Sequence, residues 1–226
     1  MVPTTSLPDV ISRVRSNGFA FIPRFRPNEL DQEPFDALGQ LDHLPGLNLV
    51  QELKPTHLSD STPNTYSGNF GYDAFPFHSD MAHWPTPPRF LALRCIKGTT
   101  DVKTRLLDSS VLAEALGPSR LRRTVVKPRR PLEMAFPLMR LMEQNRYGEH
   151  LFRWDSIFMI AASRQSLTVC NEVEEWLATH NPTEVALSET GDTLVIDNWR
   201  MLHARSPVPK EGKNRIIHRA YFSNLN

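Results

Sequence analysis

Two side chains near the middle of the chain have the types and spacing to hold a metal ion. In Phe77-His78-Ser79-Asp80 an imidazole and a carboxylate stand two positions apart. On an extended segment, residues two apart point to the same side, so both reach one point in space. Imidazole nitrogen plus carboxylate oxygen suits a divalent first-row ion. By itself the pair is weak, because a surface histidine beside a capping aspartate gives the same pattern. A second element adds to it. Gly191-Asp192 reads as a tight turn into TLVIDNWRMLH, a long predicted strand that delivers His203 near its end.

Two histidines and one carboxylate, with the other positions open, make the facial triad of non-haem iron oxygenases. A bidentate 2-oxo acid fills two of the three open positions of an octahedral ion, and dioxygen the third. The third element is cationic. Arg215 and Arg219 lie on the predicted strand NRIIHRAYF, where 215, 217 and 219 share a face. Buried arginines are costly unless they meet carboxylates, and their fork geometry suits that partner. A basic edge strand that discourages aggregation is the competing account of the same pair.

The elements that must carry these groups are short. Val10, Ile11 and Val14 give helical spacing over Pro8 to Ser16, stopped by Gly18, after which GFAFIPRF reads as a strand. A second helix is predicted over Glu29 to Leu41, with Leu30, Phe35, Leu38 and Leu41 on one face. Residues Gln51 to Phe77 are rich in Ser, Thr, Asn, Gly and Pro, and so long an irregular segment in a small chain points to function. Strands follow at Phe90 to Ile96 and Thr104 to Asp108, then a helix capped by Ser109 or Ser110 and stopped by Gly117. LFRWDSIFMIA reads as one apolar strand, Glu172 to Thr179 as a short acidic helix, and PKEGK as the turn between the last two strands. Helices outside many short strands indicate a barrel or jelly roll.

The 226 residues suit a single domain spanning 1–226. A net charge of +1 gives no global field to favour nucleic acid or an acidic membrane surface. The basic run Arg120, Arg122, Arg123, Lys127, Arg129 and Arg130 has no interleaved aromatics and reads as a solvated face. No apolar run approaches the roughly 20 residues that span a bilayer. The start, MVPTTSLPDVISRV, lacks a secretory layout, which gives the expectation of a cytoplasmic protein. Cys95 and Cys170 have no partner at metal-binding spacing and read as buried hydrophobes.

Taken together, the pieces resemble the taurine dioxygenase superfamily of iron(II)- and 2-oxoglutarate-dependent dioxygenases, most closely its clavaminate synthase-like branch of amino-acid oxygenases. The likeness runs in order through FHSDMAHWPTPPRFLALRCIKG, Thr104, GDTLVIDNWRMLHARSPV and NRIIHRAYF, about half the chain. It implies a mainly β fold with flanking helices, a cupin-like double-stranded β-helix or jelly roll, with the metal at its open end. It implies Fe(II) held by His78, Asp80 and His203, and 2-oxoglutarate and dioxygen as cosubstrates. Thr104 and Arg215 match the groups that hold the distal carboxylate of 2-oxoglutarate, and Arg219 an arginine shared with the substrate carboxylate. Asn69 and Asp155 fall near substrate-contacting positions of the branch, and Glu52 is a further candidate for the substrate's amino group. The branch often carries Glu where Asp80 stands. Halogenases of this fold have Gly or Ala there, so Asp80 points to hydroxylation of an unactivated carbon of a small amino-acid-like substrate.

Two other readings use the same residues. One is a non-catalytic jelly-roll binding or sensing protein, and the other a zinc hydrolase, which would need a general base that neither His78 nor His203 has as neighbour. Substrates other than amino acids, such as a nucleoside, an alkaloid or a carrier-bound intermediate, also fit the motifs. The oligomeric state is left open.

Overall fold

The computed structural model of the protein describes residues 6–29, 31–131, 135, 137–145 and 148–226. Helix α1 (Leu7–Asn17) leads into β1 (Phe19–Ile22), the single turn α2 (Glu33–Asp36), β2 (Gly39–Leu41) and β3 (Gln51–Leu53). Helix α3 (Tyr66–Phe70) precedes β4 (Phe75–His78), β5 (Phe90–Lys97) and β6 (Lys103–Asp108). Helices α4 (Ser109–Leu116) and α5 (Pro118–Arg123) are followed by β7 (Val125–Pro128), β8 (Met139–Arg140), β9 (Met142–Gln144), β10 (His150–Phe152) and β11 (Met159–Ala161). The 16-residue α6 (Arg164–Thr179), β12 (Thr183–Ala186), β13 (Thr193–Asp197), β14 (Met201–Arg205) and β15 (Ile216–Leu225) complete the chain.

Two antiparallel sheets dominate. The first has the order β1-β13-β5-β15-β2, with β3 also on β15, and the second the order β12-β6-β14-β4. Smaller sheets pair β9 with β10, and β7 with both β11 and β8. Strand alternation assigns each face. Leu91, Leu93, Cys95, Leu194, Ile196, Ile217 and Tyr221 of the first sheet meet Leu106 and Met201 of the second in one buried cluster. On the opposite face of the first sheet, Ala92, Val195, Ala220 and Phe222 pack against Val10 and Val14 of α1 and against Phe35. The outer face of the second sheet, with Leu107 and Leu202, is covered by α4, α5 and α6. Among the described residues no helix is long and apolar enough to cross a membrane.

Several predicted elements take a different form. The segment read as one strand from Thr193 to His203 is two strands, β13 in the first sheet and β14 in the second. The chain changes sheets at Asn198–Arg200. There Arg200 donates to Asp108 and to the carbonyls of Arg15 and Ser16 at the end of α1. Gly18, at φ 79°, makes room at this crossing, since a Cβ would sit 2.4 Å from Met201 Sδ. The helix predicted over Glu29 to Leu41 shrinks to α2; Leu30 lies outside the described residues. Beyond α2 the chain pairs with the end of β15 instead, and Gly39 permits it, as a Cβ would meet the Asn224 carbonyl at 2.1 Å.

The strand read from Leu151 to Ala161 breaks at Arg153, whose buried guanidinium donates to the carbonyls of Ala82, Trp84, Pro85 and Arg140. The acidic helix begins at Arg164 rather than Glu172, capped by the Ser163 hydroxyl. Asp108, not a serine, caps α4, accepting from the Ser110 amide at 2.8 Å. The irregular segment after Gln51 holds β3, α3 and β4. Both cysteines are free, Cys95 buried and Cys170 half-buried, and burial pushes each thiol up to about 11.

Arg94, 2% exposed on β5, holds the segment after β1 by donating to the carbonyls of Phe25, Arg26 and Glu29. Arg94→Met would leave these half-buried carbonyls without their donor. The expected loss is about 3 kcal/mol of unfolding free energy, at roughly 1–3 kcal/mol per orphaned group; urea denaturation with an unchanged slope checks it.

Candidate metal centre

His78 ends β4 and His203 sits in the middle of β14, and the antiparallel register sets them directly opposite each other. Facing residues of such a ladder are about 4.5–5.5 Å apart at Cα, and the two imidazole centroids are 4.4 Å apart. Asp80 follows β4 in a loop that turns back at Met81, whose φ is 57°. Asn198, at the crossing between the sheets, fixes this loop. Its Oδ1 accepts from the Asp80 amide at 2.7 Å, and its Nδ2 donates to the carbonyls of Asp80 and Pro88. From the other side the Ser79 amide donates to Trp154 O, and the Trp154 amide to Ser79 Oγ.

One donor atom from each of His78, Asp80 and His203 lies within 4.8 Å of the others, the one such His/Cys/Asp/Glu group among the described residues. All three residues are buried. Asp80 Oδ1 is 3.5 Å from His78 Nε2 and 3.4 Å from His203 Nε2. His78 Nδ1 is 2.8 Å from the Pro76 carbonyl, which calls for a proton on Nδ1 and leaves the Nε2 lone pair toward the centre. Asp80 Oδ2 accepts from Arg219 Nη1 at 2.9 Å and from the Tyr221 hydroxyl at 2.8 Å. Burial opposes charge on Asp80, but Arg219, His203 and His78 hold its carboxyl well below the usual carboxylate range. Burial, with the His78 imidazole close by, lowers His203 and favours the neutral imidazole a metal needs. The donor set and its protonation fit a divalent iron ion.

A cationic recess adjoins the centre. Thr104, 5% exposed, faces Arg205 across the β6–β14 ladder, and Arg205 stands two residues beyond His203 on the same face. Arg215 is 9% exposed, its Nε has no hydrogen-bond partner, and burial pushes it down to about 10. Burial and the charge of Arg215 lower Arg205 to about 10 as well. A buried guanidinium without an anion is expensive, so the recess fits a carboxylate-bearing ligand such as 2-oxoglutarate.

The other sequence candidates fall less evenly. Glu52 points outward: it is half exposed, pairs with Lys54 and stands opposite His218 on β15. Its neighbour Gln51 stands opposite Arg219 and accepts from it at 2.7 Å, because adjacent strand residues face opposite sides. Asn69 is exposed on α3 and donates to the Thr65 carbonyl within its own loop. Asp155 is buried beside the centre, bridged to His78 through the backbone, with Oδ1 capping the amides of Ile157 and Phe158. Of the basic run, Arg120 pairs with Glu172, and Arg129 donates to the carbonyls of Ile157 and Ser156.

Residues that sequence reasoning passed over complete the centre: Gln51, Asn198, Arg205, Tyr221 and Tyr66. Tyr221 was available from the spacing, two residues past Arg219. Tyr66 was not, since α3 carries its ring to within 4.1 Å of His78 from a distant loop. Arg205 stabilises that loop by donating to the carbonyls of Gly71 and Asp73 and lying 3.5 Å over Phe75. A cavity of about 160 Å³ is lined by Trp154, Asp155, Met159, Leu167 and Cys170, and by none of the three donors.

Asn198→Ala removes three hydrogen bonds and frees the Asp80 loop. Metal affinity is expected to fall about tenfold or more, the usual cost of losing an outer-shell partner; calorimetric titration with Mn(II) measures it.

No protein-family model matches the chain. Among solved structures, an asparagine oxygenase in complex with Fe(II), 2S,3S-3-hydroxyasparagine and succinate superposes with a TM-score of 0.71 at 16% identity, over 97% of this chain and 79% of that one. PvcB from Pseudomonas aeruginosa gives 0.65 at 17% identity, over 96% and 80%. The non-haem iron oxygenase OrfP, in complex with Fe, succinate and (3S)-hydroxy-L-Arg, gives 0.63 at 19% identity, over 95% and 77%. A second structure of PvcB describes it as an Fe, alpha-ketoglutarate dependent oxygenase, and the protein shares the fold of these three oxygenases.

Proposed function

We propose that the protein is an iron(II)- and 2-oxoglutarate-dependent dioxygenase that hydroxylates an unactivated carbon of a small amino-acid-like molecule. The observation that carries the reading is a buried His-Asp-His cluster together with a buried arginine, Arg215, that has no carboxylate partner among the described residues. The fold it shares with iron oxygenases supports it, and three of those neighbours were solved with amino-acid products or as iron, alpha-ketoglutarate-dependent oxygenases. In this reading residues 1–226 act as one domain, and the two main sheets are the halves of a double-stranded β-helix.

His78, Asp80 and His203 would hold the iron. When bound, iron and 2-oxoglutarate supply an oxidant made from dioxygen, with succinate and carbon dioxide released. Arg215 and Thr104 would anchor the distal carboxylate of 2-oxoglutarate, and Arg205 adds positive potential to the same recess. Arg219 is placed to meet a substrate carboxylate, at the cost of loosening its bonds to Asp80 and Gln51. Gln51, freed from Arg219, offers its amide oxygen to an amino group on the substrate. Asp155 has one carboxylate oxygen committed to the turn, and its carboxylate also interacts with the Tyr66 hydroxyl, so a substrate nitrogen there would share it with Tyr66. Tyr66 and Phe158 close the centre with apolar surface, which keeps water from the reacting carbon.

Succinate release with Fe(II), 2-oxoglutarate and air, across a panel of free amino acids and their derivatives, tests the proposal. One compound is expected to stimulate release, and His78→Ala to abolish it. No succinate from the parent protein, with or without substrate, would sink the reading in favour of a binding protein. In the active enzyme Arg215→Met is expected to raise the KM for 2-oxoglutarate at least about 30-fold, the equivalent of roughly 2 kcal/mol for a truncated buried charge pair. The KM for the amino-acid substrate should stay within about threefold, because Arg215 belongs to the cosubstrate recess.

A further inference from the structure

The two oxygens of Asp80 have different surroundings. Oδ1 faces the Nε2 atoms of both imidazoles. Oδ2 faces the first sheet and takes two hydrogen bonds, from Tyr221 and from Arg219. Both donors come from β15, two residues apart on its inner face. A carboxylate with both oxygens free can chelate a divalent ion through the pair. That would occupy a position which a bidentate oxo-acid and dioxygen need.

We infer that Tyr221 is a positioning residue: its hydroxyl holds Oδ2 of Asp80 away from the metal and fixes the carboxylate in one-oxygen coordination. The inference rests on the metal site proposed above and adds a residue to it. Arg219 shares the task but is not dedicated to it. One of its donors goes to Gln51, and its Nε is buried without a partner. Should Arg219 turn toward an anionic substrate, Tyr221 is the donor that stays. Its ring is 2% exposed and packs in the cluster between the two sheets, so the hydroxyl has little freedom to move. Among the described residues Asp80 is also the one hydrogen-bond partner of that hydroxyl.

A structural account competes with this. A buried phenol needs an acceptor, and Asp80 would then be a convenience for Tyr221 rather than Tyr221 a constraint on Asp80. Co(II) binding to the full chain separates the two, followed by visible absorption and by titration to a dissociation constant. The parent protein, His78→Ala, Tyr221→Phe, Asp80→Ala and the double variant Tyr221→Phe/Asp80→Ala are compared. Tyr221→Phe is expected to raise the Co(II) dissociation constant about 10- to 100-fold, the range for an outer-shell partner, and to alter the ligand-field bands. In the Asp80→Ala background the same substitution is expected to change neither, because its route to the metal is gone.

Unchanged affinity and unchanged bands in Tyr221→Phe would overturn the inference while leaving the metal site in place. So would an equal loss with and without Asp80, which marks a packing effect. If Tyr221→Phe does not fold, the same comparison is made with Tyr221→His, which keeps a ring but shortens the donor's reach toward Oδ2, and the same two results overturn the inference. Failure of the parent to bind Co(II) in a His78-dependent manner would instead defeat the metal site itself, and this inference with it.

Discussion

The pairing of β14 with β4 places two imidazoles opposite each other, and the rest of the centre is arranged around that distance. An antiparallel ladder sets the separation of facing residues by backbone hydrogen bonds, so the histidines cannot drift apart without unzipping a strand. His203 lies on a central strand of its sheet and His78 on an edge strand. The edge strand therefore needs further support, and the Trp154 carbonyl, the Asp155 bridge and the Asn198 side chain supply it. Asn198 is also where the chain leaves one sheet for the other. One amide side chain thus couples the sheet crossing to the loop that carries Asp80.

Four arginines show how the same residue type serves opposite ends. Arg94 and Arg153 are the most buried of them; Arg94 is held by backbone carbonyls and Arg153 by carbonyls together with the Glu143 carboxylate, so they act as cross-links between loops. Arg219 is divided between a carboxylate and an amide. Arg215 has Cys95 and Arg205 as neighbours, and among the described residues no carboxylate pairs with it. Desolvation without compensation costs stability, so Arg215 is retained against the interest of the folded state alone. Such an unbalanced buried charge is a mark of a ligand site.

The approach to the centre is built mainly from aromatic rings. Tyr66 stacks on His78, Phe158 meets Tyr66 edge-on, and Phe70 and Phe75 complete the group. Arg205 links it to the cationic recess by gripping the turn between α3 and β4. The recess and the aromatic wall are therefore parts of one structure, tied through the strand that also carries His203.

Chemistry that depends on short spacing was legible in the chain. His78 and Asp80, the arginines of the last strand, and the strands at Phe90 and Thr104 all follow from a period of two, a local property of extended backbone. So does the tyrosine two residues past Arg219, once that face is known to point inward. Pairings between distant segments were not legible. Whether Gln51 or Glu52 faces the centre depends on the register of β3 against β15, and a shift of one residue exchanges them. The helix expected after Glu29 gave way because Gly39 and Leu41 gain a strand partner at the end of β15, and tertiary pairing overrides weak helical preference. The run from Thr193 to His203 has the pattern of one strand, and only the packing of two sheets decides that it divides at Asn198. Sequence by itself determined which closely spaced groups could share one face, because local geometry fixes their spacing. The tertiary structure decided which of them meet, because contacts across sheets depend on register and crossing that no local pattern encodes.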